Sequence, residues 1–151
     1  MDDDIRVLYV DDNATSLMLR SDLLNEFDSI AVSTATSVTE GLALLDETDF
    51  DCILSDLYMP NRDGMEFLAA VRERDPHLPF ILFSAIQPDG IVEKALAANV
   101  TDYVVKDDAD GFHHVLVNRI EQYVAHHRAT KWLFDPTGPE IPQKEYRRKK
   151  H

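Results

Sequence analysis

Ile5-Arg6-Val7-Leu8-Tyr9-Val10-Asp11-Asp12 joins a β-branched, apolar run to two carboxylates near the start of the chain. The run reads as a buried strand that stops where the charge begins. The same form recurs downstream. Cys52-Ile53-Leu54 ends at Ser55-Asp56, Phe80-Ile81-Leu82-Phe83 ends at Ser84, and Tyr103-Val104-Val105 ends at Lys106. Ile30 to Thr34 reads as a shorter, alternating strand. Helical stripes lie between and after these strands. Leu19, Leu23 and Phe27 fall at i, i+4 and i+8, and Val38, Gly41, Leu42 and Leu45 follow a capping pattern of Ser37 with Glu40. Phe67, Leu68 and Val71 mark a third helix, the alanine-rich stretch 91–98 a fourth, and Phe112, Leu116, Ile120 and Tyr123 (or Val124) a fifth. Met59-Pro60 and Asp63-Gly64 punctuate a loop. Five βα units in succession predict an α/β fold, a parallel sheet with helices on both faces and right-handed crossovers. Nearly continuous apolar strands are what a sheet covered on both faces requires.

The chain has 151 residues, 44% apolar and 28% charged, which is a globular composition. Its one cysteine, Cys52, excludes an internal disulfide framework and a cysteine-cluster metal site, and reads as a small core residue. No apolar run approaches the roughly 18 residues of a membrane span. The start, Met1-Asp2-Asp3-Asp4, is acidic where a secretory signal is basic. A soluble, cytoplasmic protein is expected. The formal charge of −13 is the reverse of a nucleic-acid-binding balance. Residues 1–128 hold 9 Lys and Arg against 25 Asp and Glu, and only Lys94 and Lys106 are lysines. An acid-rich, lysine-poor body fits adaptation to high salt, with an ordinary acidic protein as the alternative. Residues 129–151 hold 6 basic and 3 acidic residues, and Pro136, Gly138, Pro139 and Pro142 break any helix. The expected division is a domain over 1–128 and a basic tail or linker over 129–151. The block Arg147-Arg148-Lys149-Lys150 reads as solvated rather than as a nucleic-acid or membrane contact, and Trp132 either docks the tail or meets a neighbour. His113-His114 and His126-His127 read as exposed helix residues.

Position is what gives the polar residues meaning. Asp11, Asp12, Asp56, Ser84 and Lys106 each follow the last apolar residue of a strand. In a parallel sheet these ends share one edge, and ligands of open α/β sheets bind in the crevice there. Three clustered carboxylates repel: two unit charges ~4 Å apart cost about 4 kcal/mol at an effective dielectric near 20. A cation is needed to fill such a cluster. Oxygen-only donors suit Mg²⁺, whereas zinc would want a histidine or cysteine, and none stands at a strand end. Lys106 offers a point charge to Asp56 or to a phosphoryl oxygen, and Ser84 a hydroxyl donor. A carboxylate so flanked can attack phosphorus.

These residues, in this order, resemble the receiver domain of two-component response regulators over about residues 4–127. The motifs are Asp11-Asp12, Asp56-Leu57-Tyr58-Met59-Pro60 with Asp63-Gly64, Phe83-Ser84-Ala85, and Tyr103-Val104-Val105-Lys106. The resemblance implies a flavodoxin-like, doubly wound (βα)5 fold with strand order 2-1-3-4-5. It implies that Asp56 is the phospho-accepting aspartate, Asp12 a direct Mg²⁺ ligand, Asp11 a water-mediated one, and the Tyr58 carbonyl a further ligand. Ser84 then resembles the switch hydroxyl, Lys106 the lysine on the phosphoryl group, and Tyr103 the switch aromatic. The implied donor is a histidine kinase or phosphotransfer protein. The implied output is the surface of the fourth helix, fifth strand and fifth helix, through which family members also often form homodimers. In one place the pattern is broken. Asp107 follows Lys106 where the family usually has proline, commonly cis; a non-proline cis bond costs ~2.5–4 kcal/mol, so a trans bond is expected.

Three rivals share parts of this pattern. A Mg²⁺-dependent phosphatase or phosphotransferase acting on external substrates also uses a strand-end aspartate. The familiar haloacid-dehalogenase type, however, carries its aspartates two residues apart after the first strand. A phosphorylation-independent, receiver-like dimerisation module would not need Asp11, Asp12, Asp56 and Lys106 intact. Flavodoxin-like cofactor binding would want a Gly- or Ser/Thr-rich phosphate loop after the first strand. The expectation is a phosphorylation-activated receiver whose chemistry is limited to its own phosphorylation and dephosphorylation. The 23 residues after 128 are too few for a DNA-binding or catalytic module, so the expected partner is a downstream effector protein.

Overall fold

The computed structural model describes residues 4–134. In chain order β1 (Ile5–Val10) leads to α1 (Ala14–Asn25), β2 (Ile30–Ala35) to α2 (Val38–Glu47) and β3 (Cys52–Ser55) to α3 (Gly64–Arg74). Then β4 (Phe80–Ser84) leads to α4 (Ile91–Ala97) and β5 (Asp102–Val105) to α5 (Phe112–Phe134). The five strands form one sheet of order β2-β1-β3-β4-β5, every neighbouring pair parallel. This is the parallel sheet expected from the five βα units, in the flavodoxin-like (βα)5 order that the resemblance implies.

Strand alternation sorts the core into two halves. Leu8 and Val10 of β1 face α2, α3 and α4, where Val38, Phe67, Leu68, Val71 and Ala95 are buried. Ile5, Val7 and Tyr9 face α1 and α5, where Leu17, Leu24, Leu116, Ile120 and Val124 are buried. The carboxyl ends of β1, β3, β4 and β5 therefore lie along one edge.

Three expectations need correction. Leu19 is 62% exposed, and the buried face of α1 is Leu17, Ser21 and Leu24. The polar Ser21 hides that stripe from a hydrophobic reading, although its hydroxyl is satisfied by the Met18 carbonyl at 3.0 Å. Leu17→Ala is accordingly expected to cost about 2–5 kcal/mol in urea unfolding, and Leu19→Ala within about 0.5 kcal/mol. Equal costs would show that the helix is rotated. Secondly, α5 continues to Phe134, so the helix runs six residues past the expected boundary at 128. Nothing between Ala129 and Phe134 breaks it, and the first proline is Pro136. The basic block and Pro136 to Pro142 lie outside the described residues, as does the side chain of Trp132. Thirdly, His113 and His127 are half-buried, not exposed. Burial lowers the proton affinity of both rings, and for His113 the Arg20 guanidinium adds to the effect.

Two caps hold helix starts near the edge. Ser37 accepts from the Glu40 amide at 3.1 Å, while Glu40 reaches past it to the Thr36 amide. A full capping box closes the start of α3: the Asp63 carboxylate accepts from the Glu66 amide at 2.9 Å, and the Glu66 carboxylate from the Asp63 amide at 3.1 Å. No cis peptide bond occurs among the described residues, so Lys106–Asp107 is trans, as expected.

Candidate functional site

The turn from β1 into α1 divides three adjacent polar residues among three tasks. Asn13 is the helix cap, accepting from the Ser16 amide at 3.0 Å. That frees both aspartates before it. Asp12 stays exposed at the rim, while Asp11 turns inward and is 0% exposed. A buried carboxylate needs donors for its lone pairs. Asp11 Oδ1 accepts from the Asn13 amide at 2.9 Å. Asp11 Oδ2 accepts from Lys106 Nζ at 2.6 Å and, more distantly, from the Tyr9 hydroxyl at 3.4 Å.

Asp56 enters from the next strand. Its amide donates to the Val10 carbonyl at 2.9 Å, which ties the end of β3 to the end of β1. Its Oδ1 accepts from the Leu57 amide at 2.8 Å, and Oδ2 lies 3.8 Å from Lys106 Nζ. Carboxylate oxygens of Asp11, Asp12 and Asp56 all lie within 4.8 Å of one another. Burial raises the Asp56 pKa above its ordinary value, and the charge on Asp11 adds to this against the opposing pull of Lys106. The ionised Asp56 is thus disfavoured where it stands, and a divalent cation beside it would relieve this. The donors are all oxygen and some stand open to water, which fits Mg²⁺.

Lys106 reaches the acids from β5. Its amide donates to the Ser84 carbonyl at 2.8 Å, so β4 sets where the side chain begins. The side chain is 9% exposed and lies over the buried Phe83 ring, Nζ 5.5 Å from the centroid. Ser84 ends β4, buried, and its hydroxyl accepts only a long bond from the Ile86 amide at 3.4 Å. Tyr103 is half-buried and donates its hydroxyl to the Ile86 carbonyl at 2.6 Å. Burial raises its pKa, with the neighbouring Ser84 hydroxyl opposing. Tyr58 is 55% exposed and shares an open depression at the rim with Asp12, Met59 and Asp63.

The expected acids and Lys106 therefore meet, whereas Ser84 and Tyr103 stand beside them with their side chains bonded to the β4–α4 loop. Sequence reading missed two contributors. Tyr9 had a visible signal, since i and i+2 on a strand share a face and Tyr9 must point as Asp11 does. Arg20 had none, because its partners are 87 and 88 residues away.

A family model for the response regulator receiver domain matches residues 7–117. The chain belongs to the response regulator receiver domain family. The chemotaxis protein CheY of Pseudomonas aeruginosa is 35% identical over 105 residues, which cover 68% of this chain and 84% of that protein. A protein-glutamate methylesterase/protein-glutamine glutaminase of Trichodesmium erythraeum is 36% identical over 104 residues, covering 67% of this chain but only 30% of that protein. Among solved structures, a CheY-like receiver domain protein from Methanospirillum hungatei gives a TM-score of 0.74 at 23% identity, covering 84% of this chain and 98% of that one, and so shares the fold. As a receiver domain the chain is a component of two-component signal transduction.

Proposed function

We propose that Asp56 accepts a phosphoryl group from a sensor histidine kinase or phosphotransfer protein, with Mg²⁺ held by Asp11, Asp12, Asp56 and the Tyr58 carbonyl. The observation that carries this reading is one ammonium spanning two acids: Lys106 Nζ lies 2.6 Å from Asp11 and 3.8 Å from Asp56 inside a three-carboxylate cluster. When bound, Mg²⁺ neutralises the carboxylates and draws charge from the oxygens of the transferring group.

The Leu57 amide fixes the plane of the Asp56 carboxylate. An Asp56 oxygen forms the new O–P bond as the P–N bond to the donor imidazole breaks. The electron pair leaves on the imidazole nitrogen, which takes a proton. A small rotation of the terminal methylenes carries Lys106 from Asp11 to a phosphoryl oxygen on Asp56. Ser84 gives up little to turn toward the same group, since its hydroxyl is engaged only at 3.4 Å. Movement of the β4–α4 loop with Ser84 breaks the Tyr103–Ile86 bond and so couples the site to β5. Switching requires that the phosphoryl group bind the rearranged state better than the resting one, and these two hydroxyls supply that difference. The output surface is α4, β5 and α5, where Leu96, Val105 and Val115 are exposed and a downstream effector or a second copy of the chain would dock. The place of action is the cytoplasm. Among the described residues no helix is long and apolar enough to cross a membrane.

Incubation with acetyl phosphate and Mg²⁺ is expected to add the mass of one phosphoryl group, and chelation with EDTA to abolish the gain. Mass gain that ignores the chelator would overturn the metal assignment. Repeated turnover of simple phosphate esters would favour a phosphatase.

A further inference from the structure

The segment after Lys106 leaves the sheet, and what holds it comes from the opposite end of the chain. Arg20, on α1, donates from Nη1 to the Asp107 carbonyl at 3.3 Å and from Nη2 to the Asp108 carboxylate at 3.1 Å. It therefore grips the peptide group between Asp107 and Asp108, one residue beyond Lys106. The guanidinium is not a loose surface charge: the Arg20 side chain is 11% exposed, although that of Asp108 is 97% exposed. Its Cζ lies 5.4 Å from the centroid of the Phe83 ring, the ring that Lys106 Nζ approaches to 5.5 Å. That ring is 0% exposed and is packed by Tyr9 and Phe112, so it offers both cations one fixed surface. Beyond this the loop is tied only locally. The Asp107 carboxylate accepts from the Ala109 amide at 2.8 Å, and the Phe112 amide donates to the Ala109 carbonyl at 3.1 Å.

We infer that Arg20 is a positioning residue for Lys106, holding the Asp107–Asp108 peptide beside Phe83 and through it the backbone that leaves Lys106, so that the ammonium reaches Asp56. The assignment rests on the phospho-acceptor reading above. A planar fork is what the task needs, since one head group must serve a carbonyl and a carboxylate while lying over a ring. Lysine at this position lacks the planar fork that reaches both partners while lying over the ring.

The test is a double-mutant cycle. Arg20→Met is expected to lower the rate of phosphorylation by acetyl phosphate roughly tenfold to a hundredfold, because a small misplacement of a catalytic group is costly. Arg20→Lys is expected to fall between. Mg²⁺ affinity, read by calorimetry, stays within about twofold, since Asp11, Asp12 and Asp56 are untouched. In a Lys106→Met background the further change Arg20→Met should have almost no effect on the rate, because the group it positions is gone. Equal effects of Arg20→Met in both backgrounds, or a rate unchanged while the melting temperature falls, would reduce Arg20 to a structural role and overturn the inference. Should Arg20→Met fail to fold, Asp108→Asn removes the ion pair at an exposed site, and an unchanged rate there is the overturning result. A wild type that takes up neither phosphoryl nor beryllofluoride would sink the phospho-acceptor reading alone. The Lys106 side-chain NMR signal still reports on Arg20, shifting in Arg20→Met if the inference holds and staying put if it does not.

Discussion

Asp56→Asn is expected to abolish phosphoryl uptake from acetyl phosphate, a loss of about a thousandfold or more. The amide carries no charge, and its oxygen is a poor nucleophile toward phosphorus. Neither neighbouring acid is placed to substitute. Asp11 is 0% exposed and committed to Lys106 and Asn13, and Asp12 stands at the rim. The same change is expected to raise the thermal midpoint in metal-free buffer at neutral pH. Burial first, and then the charge on Asp11, hold the Asp56 pKa above its ordinary value in the folded state. A carboxyl group whose pKa rises on folding is destabilising when ionised, so replacing it by a neutral isostere gains stability. That advantage is full above the raised pKa, shrinks as pH falls through it, and vanishes below the ordinary carboxylate value near about 3.9. Mass spectrometry of the phosphorylated protein and melting curves across pH check the two halves separately. Undiminished uptake would move the acceptor elsewhere. A variant less stable than wild type at pH 7 would mean that the ionised Asp56 is not destabilising in the fold.

How much of this was legible beforehand follows from the range of the interactions. The strands announced themselves because burial on both faces leaves an apolar run with nothing polar until its end. The strand-end position of Asp11, Asp56, Ser84 and Lys106 then follows from parallel topology alone. The buried face of α1 is not legible because Leu17, Leu19, Leu23 and Leu24 offer two overlapping stripes, and Ser21 completes the buried one with a hydroxyl. The length of α5 is not legible because amphipathic spacing fades after Val124, although nothing forbids helix before Pro136. Arg20 could not have been found, since a guanidinium that bonds a backbone carbonyl 87 residues away leaves no local pattern. Asp63-Gly64 is legible as loop punctuation and as part of the receiver motif, but not as a packing contact. That it closes a capping box and permits a backbone contact became evident when α3 was seen against Asp56.

That contact yields the second large effect. Gly64→Ala is expected to destabilise the protein by about 2 kcal/mol, against the trend of helix propensity. Alanine is favoured over glycine inside a helix by about 1 kcal/mol, and Gly64 is the first residue of α3. A Cβ placed there, however, would lie 2.3 Å from the Asp56 carbonyl oxygen, 3.0 Å from Leu57 Cα and 2.9 Å from Leu82 Cδ2. Two of these three are backbone and cannot rotate away, and overpacking of this kind costs about 1–3 kcal/mol or more. The Gly64 amide also donates to the Leu57 carbonyl at 2.7 Å, closing the loop that carries Tyr58. Relief of the clash has to push the start of α3 away from β3, and the segment from Asp56 to Asp63 moves with it. Beryllofluoride affinity in Mg²⁺ should then fall about tenfold along with the urea midpoint, as for a reacting group shifted by a fraction of an ångström. A Gly64→Ala protein with an unchanged or higher midpoint would show that propensity outweighs the clash. A lower midpoint with wild-type beryllofluoride affinity would show that α3 yields without disturbing Asp56.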